Sequence, residues 1–286
     1  MKSGANKLNE TFLKNKGKFI AFIISILVLI AGVIGFSAYR SKYVTFKDPI
    51  IETSARGNLN KGGRILKADA EKVRLFRIYD ATMQNLTTLE DLKYFPNIVF
   101  MGTISATEFE TKEERTEFEE EHRISRNVYE KYAKMLQEVL PSLEKLQGIF
   151  FCTDTIIFDM TPFLGADQIE ELRINTNQIE DLTGIEEMES LRILDVYDNK
   201  ITDISPLGEL ENLEALDIRG NPIENIDVLL ELPELKVLFY KAESEEQEEV
   251  LQELSDRGCT VIQEGGAFLS TIEEKGIESV DILSLY

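Results

Sequence analysis

A chain of 286 residues, 43% of them hydrophobic, is long enough to bury a core and too apolar for wholesale disorder. Its formal net charge of -21, from 52 acidic and 31 basic residues, argues against binding nucleic acid, because phosphate contacts need Lys and Arg. The basic residues cluster early: Lys2, Lys7, Lys14, Lys16, Lys18 and Arg40 stand in the first 40 residues against Glu10 alone.

From Phe19 to Tyr39 the sequence FIAFIISILVLIAGVIGFSAY runs 21 residues without a charge. At ~1.5 Å per residue that crosses a hydrocarbon core of ~30 Å. A stretch apolar on every face and flanked by Lys18 and Arg40 predicts a single transmembrane helix over 19–39 rather than a buried one. A cleaved signal peptide would have an apolar region of ~7–15 residues ending in a small-x-small site, whereas Phe36-Ser37-Ala38 begins with a large residue. Five lysines precede the span, and only Arg40, Lys42 and Lys47 closely follow it. The positive-inside rule then puts residues 1–18 in the cytoplasm and residues from about 41 outside, so the expected localisation is the cell membrane, single-pass.

Residues 40–63 read as a linker and an N-terminal cap. Asp48-Pro49 supplies a helix N-cap and first helical residue, with Ile50, Ile51, Ala55 and Leu59 as an apolar face. Residues 64–103 hold a first, weaker copy of a repeat that is clearest downstream, FRIYDATMQNLTTLEDLKYFPN from Phe76 to Asn97, with Gln84 at its ninth position. Over 104–146 the register breaks and charge rises. Val128, Tyr132, Met135, Val139, Leu143 and Leu146, spaced by three or four, predict an inserted or substituted helix with one apolar stripe.

Residues 147–241 carry the repeat itself. Leu172, Leu194, Leu216 and Leu238 stand 22 residues apart, and Ile169, Leu191, Leu213 and Leu235 keep the same step. So do Asn177, Asn199 and Asn221, then Ile179, Ile201 and Ile223, then Leu182, Ile204 and Ile226. A weaker copy, IFDMTPFLGADQIEEL over Ile157–Leu172, follows Thr155 at the ninth position. In LRILDVYDNKITDISPLGELEN the alternating part predicts a short strand and the three-spaced part a tight helical return. Leu191, Leu194, Val196, Ile201, Ile204, Leu207 and Leu210 point inward, and one coil cannot enclose them, so each must stack on its neighbours. Asn199 and its equivalents sit where the strand ends, where an amide can pair backbone groups that the bend leaves open. Pro206 suits the start of the return.

Residues 242–263 read as a C-terminal cap. Ser244 and Gln247 form a capping-box pattern ahead of EEVLQELSDRG, Gly258 stops the helix, and CTVI makes a final strand. The tail, 264–286, carries no readable pattern.

The segment NKITDISPLGELENL, Asn199–Leu213, resembles the 22-residue repeat of bacterial internalins and of Sds22-like leucine-rich repeats, and Phe46–Val73 is similar to the N-terminal cap of such surface proteins. The likeness spans about residues 46–263 without the helical stretch. The resemblance implies an α/β leucine-rich-repeat solenoid, curved and right-handed, that binds proteins on its concave strand face. The chain departs from that pattern in having few clean repeats, a helix in the middle, no C-terminal wall-sorting motif, and an N-terminal anchor, so no adhesin partner carries over.

Outward residues of the strands form ladders with rungs ~4.8 Å apart. One ladder is expected to run Phe151, Arg173, Asp195, Asp217, Phe239, and its neighbour Thr153, Asn175, Tyr197, Arg219, Lys241. Aromatic and arginine residues in a row are typical interface anchors, which singles out Arg173, Tyr197, Arg219 and Phe239, with a solvated sheet as the bland reading. The sharpest enzymatic reading makes Asp195 and Asp217 a carboxylate pair, since retaining glycosidases hold theirs ~5–5.5 Å apart, but an open sheet supplies no water-excluding pocket. His122 has no metal-binding company, and no phosphate loop, nucleophile elbow or zinc pattern occurs, so neither cofactor nor metal is expected. Cys152, placed as the equivalent of Val196, and Cys259 would stand about five rungs, or ~24 Å, apart, too far for a disulfide, and are expected to be buried free thiols. The reading is a non-enzymatic, membrane-anchored module that presents its strand face to a protein partner. The alternative is a structural subunit of a membrane or envelope complex, in contact through the span and the 104–146 helix.

Overall fold

The computed structural model describes residues 25–35, 37–79, 85–103, 126–151 and 157–279. It divides into two compact units, residues 1–45 with 64–68, and residues 46–63 with 69–286.

In the first unit, residues 25–35 and 37–40 are helical, and Ile26, Leu27, Val28, Leu29, Ile30, Val33 and Ile34 are exposed. Among the described residues no helix is long and apolar enough to cross a membrane. Residues 19–24 and 36 of the expected span lie outside the described residues. The chain then forms an antiparallel bridge, Tyr43 to Leu66, with the Val44 N–H donating to Ile65 O at 2.9 Å.

The second unit is a stack of coils. Among the described residues eight strands pair in chain order, every pair parallel: β1 Leu75–Ile78, β2 Phe100–Thr103, β3 Gly148–Phe150, β4 Glu171–Arg173, β5 Ile193–Asp195, β6 Ala215–Asp217, β7 Val237–Phe239 and β8 Thr260–Ile262. Phe76, Met101, Ile149, Leu172, Leu194, Leu216, Leu238 and Val261 are register partners in one continuous column. The first seven are fully buried, as the 22-residue period requires.

The asparagine ladder joins the coils. Asn199 Nδ2 donates to Val196 O in its own coil and to Ile174 O in the preceding one, at 3.0 and 3.1 Å, while its Oδ1 accepts from the Ile179 N–H at 3.0 Å. Asn177 and Asn221 repeat the pattern one coil before and one after. The residue before each asparagine takes a left-handed conformation: Thr176, Asp198 and Gly220, at φ 58°, 56° and 73°.

Returns are 3-10 turns at Glu90–Tyr94, Thr161–Phe163, Ile185–Glu187, Ser205–Glu209 and Asp227–Glu231, and Pro162 and Pro206 open theirs. The coil between β2 and β3 carries helix α2, Arg126–Val139, ahead of its own 3-10 return at Leu140–Ser142, so the helix is inserted before the return and does not replace it. It buries Tyr129, Tyr132, Ala133, Leu136 and Val139, a stripe rotated slightly from the expected one: Val128 and Met135 are only half-buried. Residues 104–125 of the expected insertion lie outside the described residues.

Flanking the stack, helix α1 spans Pro49–Leu59 with Asp48 as its N-cap. Asp48 Oδ1 accepts from the Ile50 and Ile51 N–H groups, and its Oδ2 from Thr87. At the other end α3, Glu245–Asp256, starts at Ser244, whose Oγ accepts from the Gln247 N–H; the Gln247 side chain turns back to accept from Glu243 and to donate to Ile223 O. The tail, unreadable in sequence, forms α4, Phe268–Glu274, which lies on the strand face.

Candidate partner-binding face

Three outward columns line the strand face. The first runs Gly148, Glu171, Ile193, Ala215, Val237, Thr260, and the second Phe150, Arg173, Asp195, Asp217, Phe239, Ile262. The third carries Asn175, Tyr197, Arg219 and Lys241, two residues further along each strand.

Phe151 does not stand on this face. The step from β3 to β4 is 23 residues rather than 22, so Phe150 is the partner of Arg173 and Phe151 turns inward, wholly buried, with its ring 6.4 Å from that of Phe163. The same shift gives Phe151 the inward position expected for Cys152. Cys152 itself, like Thr153 and His122, lies outside the described residues.

The remaining ladder residues form two charged clusters. Arg173, 4% exposed, pairs with the buried Glu171 and packs over the rings of Phe100 and Phe150, 5.5 Å from each centroid. Arg219 donates through Nε to Asp217 Oδ1 at 3.0 Å and through Nη1 to Gly265 O at 2.8 Å. Its guanidinium lies 4.4 Å from the Phe239 centroid and 5.6 Å from that of Tyr197. Between the clusters, Asp195 accepts from Asn175 Nδ2 at 2.7 Å and from the Tyr197 N–H at 3.1 Å. Burial, with the neighbouring Asp217 adding to it, pushes the Asp195 carboxyl up to about 6. Burial also raises Asp217, against the opposing pull of Arg219.

Both carboxylates are thus occupied with holding neighbours in place, and the arrangement offers order rather than a free acid and base. Among the described residues no group of His, Cys, Asp and Glu is placed to hold a metal. Cys259 is a buried free thiol, and burial pushes it up to about 11.

Of the other ladder residues expected to meet a partner, Arg173, Asp195, Asp217 and Phe239 are buried, Asn175 and Arg219 half-buried, and Tyr197 is 42% exposed. The reason for the closure at β5–β7 is the tail. Phe268, Ile272 and Ile277 seat on Ile193, Ala215, Val237 and Phe239, with Ile262 alongside. Sequence reasoning missed this trough, although apolar residues at the outward positions 193, 215 and 237 were its signal.

Parallel strands in one register, a stacked leucine column and an asparagine ladder define a leucine-rich-repeat solenoid. Residues 189–231 match the family model described as leucine-rich repeats in two copies. Among solved structures the chain is similar to internalin C2 of Listeria monocytogenes, at 22% identity over 68% of this chain and 93% of that one, with a TM-score of 0.37. It is also similar to a second internalin of that organism, at 17% over 76% and 88%, TM-score 0.37. A leucine-rich-repeat protein of Leptospira interrogans matches at 16% over 64% and 44%, TM-score 0.34. No curated protein sequence matches the chain.

Proposed function

We propose that the chain is a membrane-anchored, extracytoplasmic binding module that engages a protein partner through the open part of its strand face, around Tyr197, Asn175 and Arg219. The observation that carries this is Tyr197: a large aromatic, 42% exposed, held at the rim of a rigid sheet by its backbone bond to Asp195 and by the Arg219 guanidinium. Aromatic and arginine residues fixed in this way lose little freedom on binding and are the usual anchors of an interface. Helices α1 and α3 serve as caps that keep the end coils dry.

The anchor is the run 19–39, whose described part is helical and exposes Ile26 through Ile34, a pattern that suits lipid and not water. The apolar stripe of α2 is taken up inside its own coil, which leaves that helix little to offer a second subunit.

A photo-crosslinking side chain at position 197, used in intact membranes, should trap one discrete protein, while the same group at Glu211 should not. Adducts equal at both sites would end the strand-face reading. Protease added outside the cell should cleave the repeats; protection of the repeats until the membrane is opened would reverse the orientation.

A further inference from the structure

Where the apolar run ends, the chain turns tightly and pairs with a later segment. Ser41 closes the helix through its N–H to Ser37 O and its Oγ to Ala38 O, both 2.9 Å, and the Lys42 and Tyr43 N–H groups turn on Tyr39 O and Arg40 O. The antiparallel bridge of Tyr43 with Leu66 then brings in residues 64–67, with the Lys67 N–H donating to Lys42 O at 2.9 Å. Tyr39 and Tyr43 set their rings 5.0 Å apart, the Tyr43 hydroxyl donates to that of Tyr39 at 3.2 Å, and the Arg64 guanidinium lies 5.8 Å from the Tyr43 centroid.

Arg40, Lys42, Arg64 and Lys67 are brought together by this turn and bridge, all exposed, and the described part of the first unit holds no acidic side chain. Cations close by in sequence are neutralised: Lys47 pairs with Glu90, Arg56 with Glu52, and Lys61 and Lys72 share Asp69. Among the described residues Lys42, Arg64 and Lys67 have no acidic partner. Lys42 and Lys67 stand across from each other, and like charges so placed repel. The fold gains nothing from that arrangement, whereas an anion shared between them relieves it. Beside the cations lie Tyr39, 50% exposed, and Leu66, 36% exposed. Tyrosine at the end of an apolar span, an outward leucine and unneutralised cations make a surface suited to the headgroup layer of a bilayer.

We propose that this platform is a second membrane contact, in which Arg64 and Lys67, carried to the end of the anchor by the Tyr43–Leu66 bridge, join Lys42 in holding the phosphates of anionic lipids. Arginine takes a phosphate through a planar fork and lysine as a point charge, so headgroups of net negative charge are held and zwitterionic ones are not. Tyr39 and Leu66 then meet the outermost acyl carbons. The apolar run fixes the chain in the bilayer, and the platform makes its seat on the surface depend on lipid charge. The proposal rests on the anchor reading above.

The test uses the full chain carrying Leu66→Trp, since the chain has no tryptophan of its own. The protein is reconstituted into vesicles of phosphatidylcholine alone or with one third phosphatidylglycerol, the acyl chains brominated near the headgroup. Quenching of the indole should be about twofold or more stronger in the anionic vesicles, and molar salt should remove the difference. Arg64→Gln with Lys67→Gln should also remove it, and Arg64→Lys with Lys67→Arg should keep it. Should Leu66→Trp disturb the bridge, Thr45→Trp, at an exposed position beside it, carries the reporter instead. Equal quenching in the two lipids, or a difference that survives neutralisation of both residues, overturns the proposal. An alkaline carbonate wash reads the anchor separately. A chain retained through the wash but blind to lipid charge sinks the platform alone, and a chain washed off whose quenching still follows lipid charge sinks only the anchor.

Discussion

Phe268 stands edge-on to Phe239, with ring centroids 5.4 Å apart and planes at 71°. A residue 29 positions downstream thereby closes a rung that the repeat pattern points outward, and Phe239 is wholly buried as a result. Core and surface on this sheet are decided by a segment that is not part of any repeat. The coils beneath it obey local rules, and these yield direct predictions.

Replacing Asn199 by Ala leaves the Ile179 N–H without its acceptor, while Ile174 O and Val196 O each lose one of two amide donors and keep Asn177 and Asn221. Buried backbone groups stripped of a partner cost roughly 1–3 kcal/mol each, moderated where a water enters. The denaturant midpoint of Asn199→Ala should fall by an amount equivalent to about 2 kcal/mol or more, and an unchanged midpoint would remove the ladder from the account of stability.

Gly220 and Thr176 hold the same place two repeats apart, with Asp198 between them, all at positive φ. An added Cβ at Gly220 would lie 3.1 Å from Asp198 Cα and 3.2 Å from Asp198 N, both backbone atoms that cannot swing aside. Gly220→Ala should therefore destabilise by roughly 1–2 kcal/mol, whereas Thr176→Gly, which relieves a β-branched residue in the left-handed region, should stabilise. Thermal melting of the pair checks the opposite signs.

Asp195 binds its proton up to about 6 in the folded chain, against an ordinary value of 3.8. Between those two pH values the folded state holds a proton that the unfolded chain has released. This stabilising contribution is complete below about pH 4 and is lost as pH rises through 6. Asp195→Asn removes the buried charge, and a flip of the Asn175 amide restores the second hydrogen bond. The variant should be the more stable by roughly 1–3 kcal/mol at pH 7.5, with the gap closing towards pH 4. Denaturation curves that stay parallel across that range would contradict the assignment.

In a chain carrying Cys152→Ser, Cys259 reports alone. Its burial and a thiol held near 11 leave almost no thiolate at neutral pH. Maleimide labelling of the native chain should be slower than of the urea-unfolded chain by on the order of a hundredfold or more. Comparable rates would mean that the last strand is open.

The sequence by itself determined the stack. A pattern that returns every 22 residues makes coils of one size, and coils of one size can seal their apolar sides only against each other. Leu172, Leu194, Leu216 and Leu238 therefore had to form a column, Asn177, Asn199 and Asn221 a ladder, and Asp48 and Ser244 the starts of flanking helices. These outcomes depend on neighbours a few residues away or one period away.

Tertiary structure alone decided which outward residues are open. The extra residue between Ile149 and Leu172 turned Phe151 inward, because a strand alternates faces and a one-residue slip moves a side chain to the other side. The tail settled the rest. Phe268 and Ile272 are four residues apart and hint at a helix, but their landing on Ile193, Ala215 and Val237 is a match between distant surfaces, which no local period encodes.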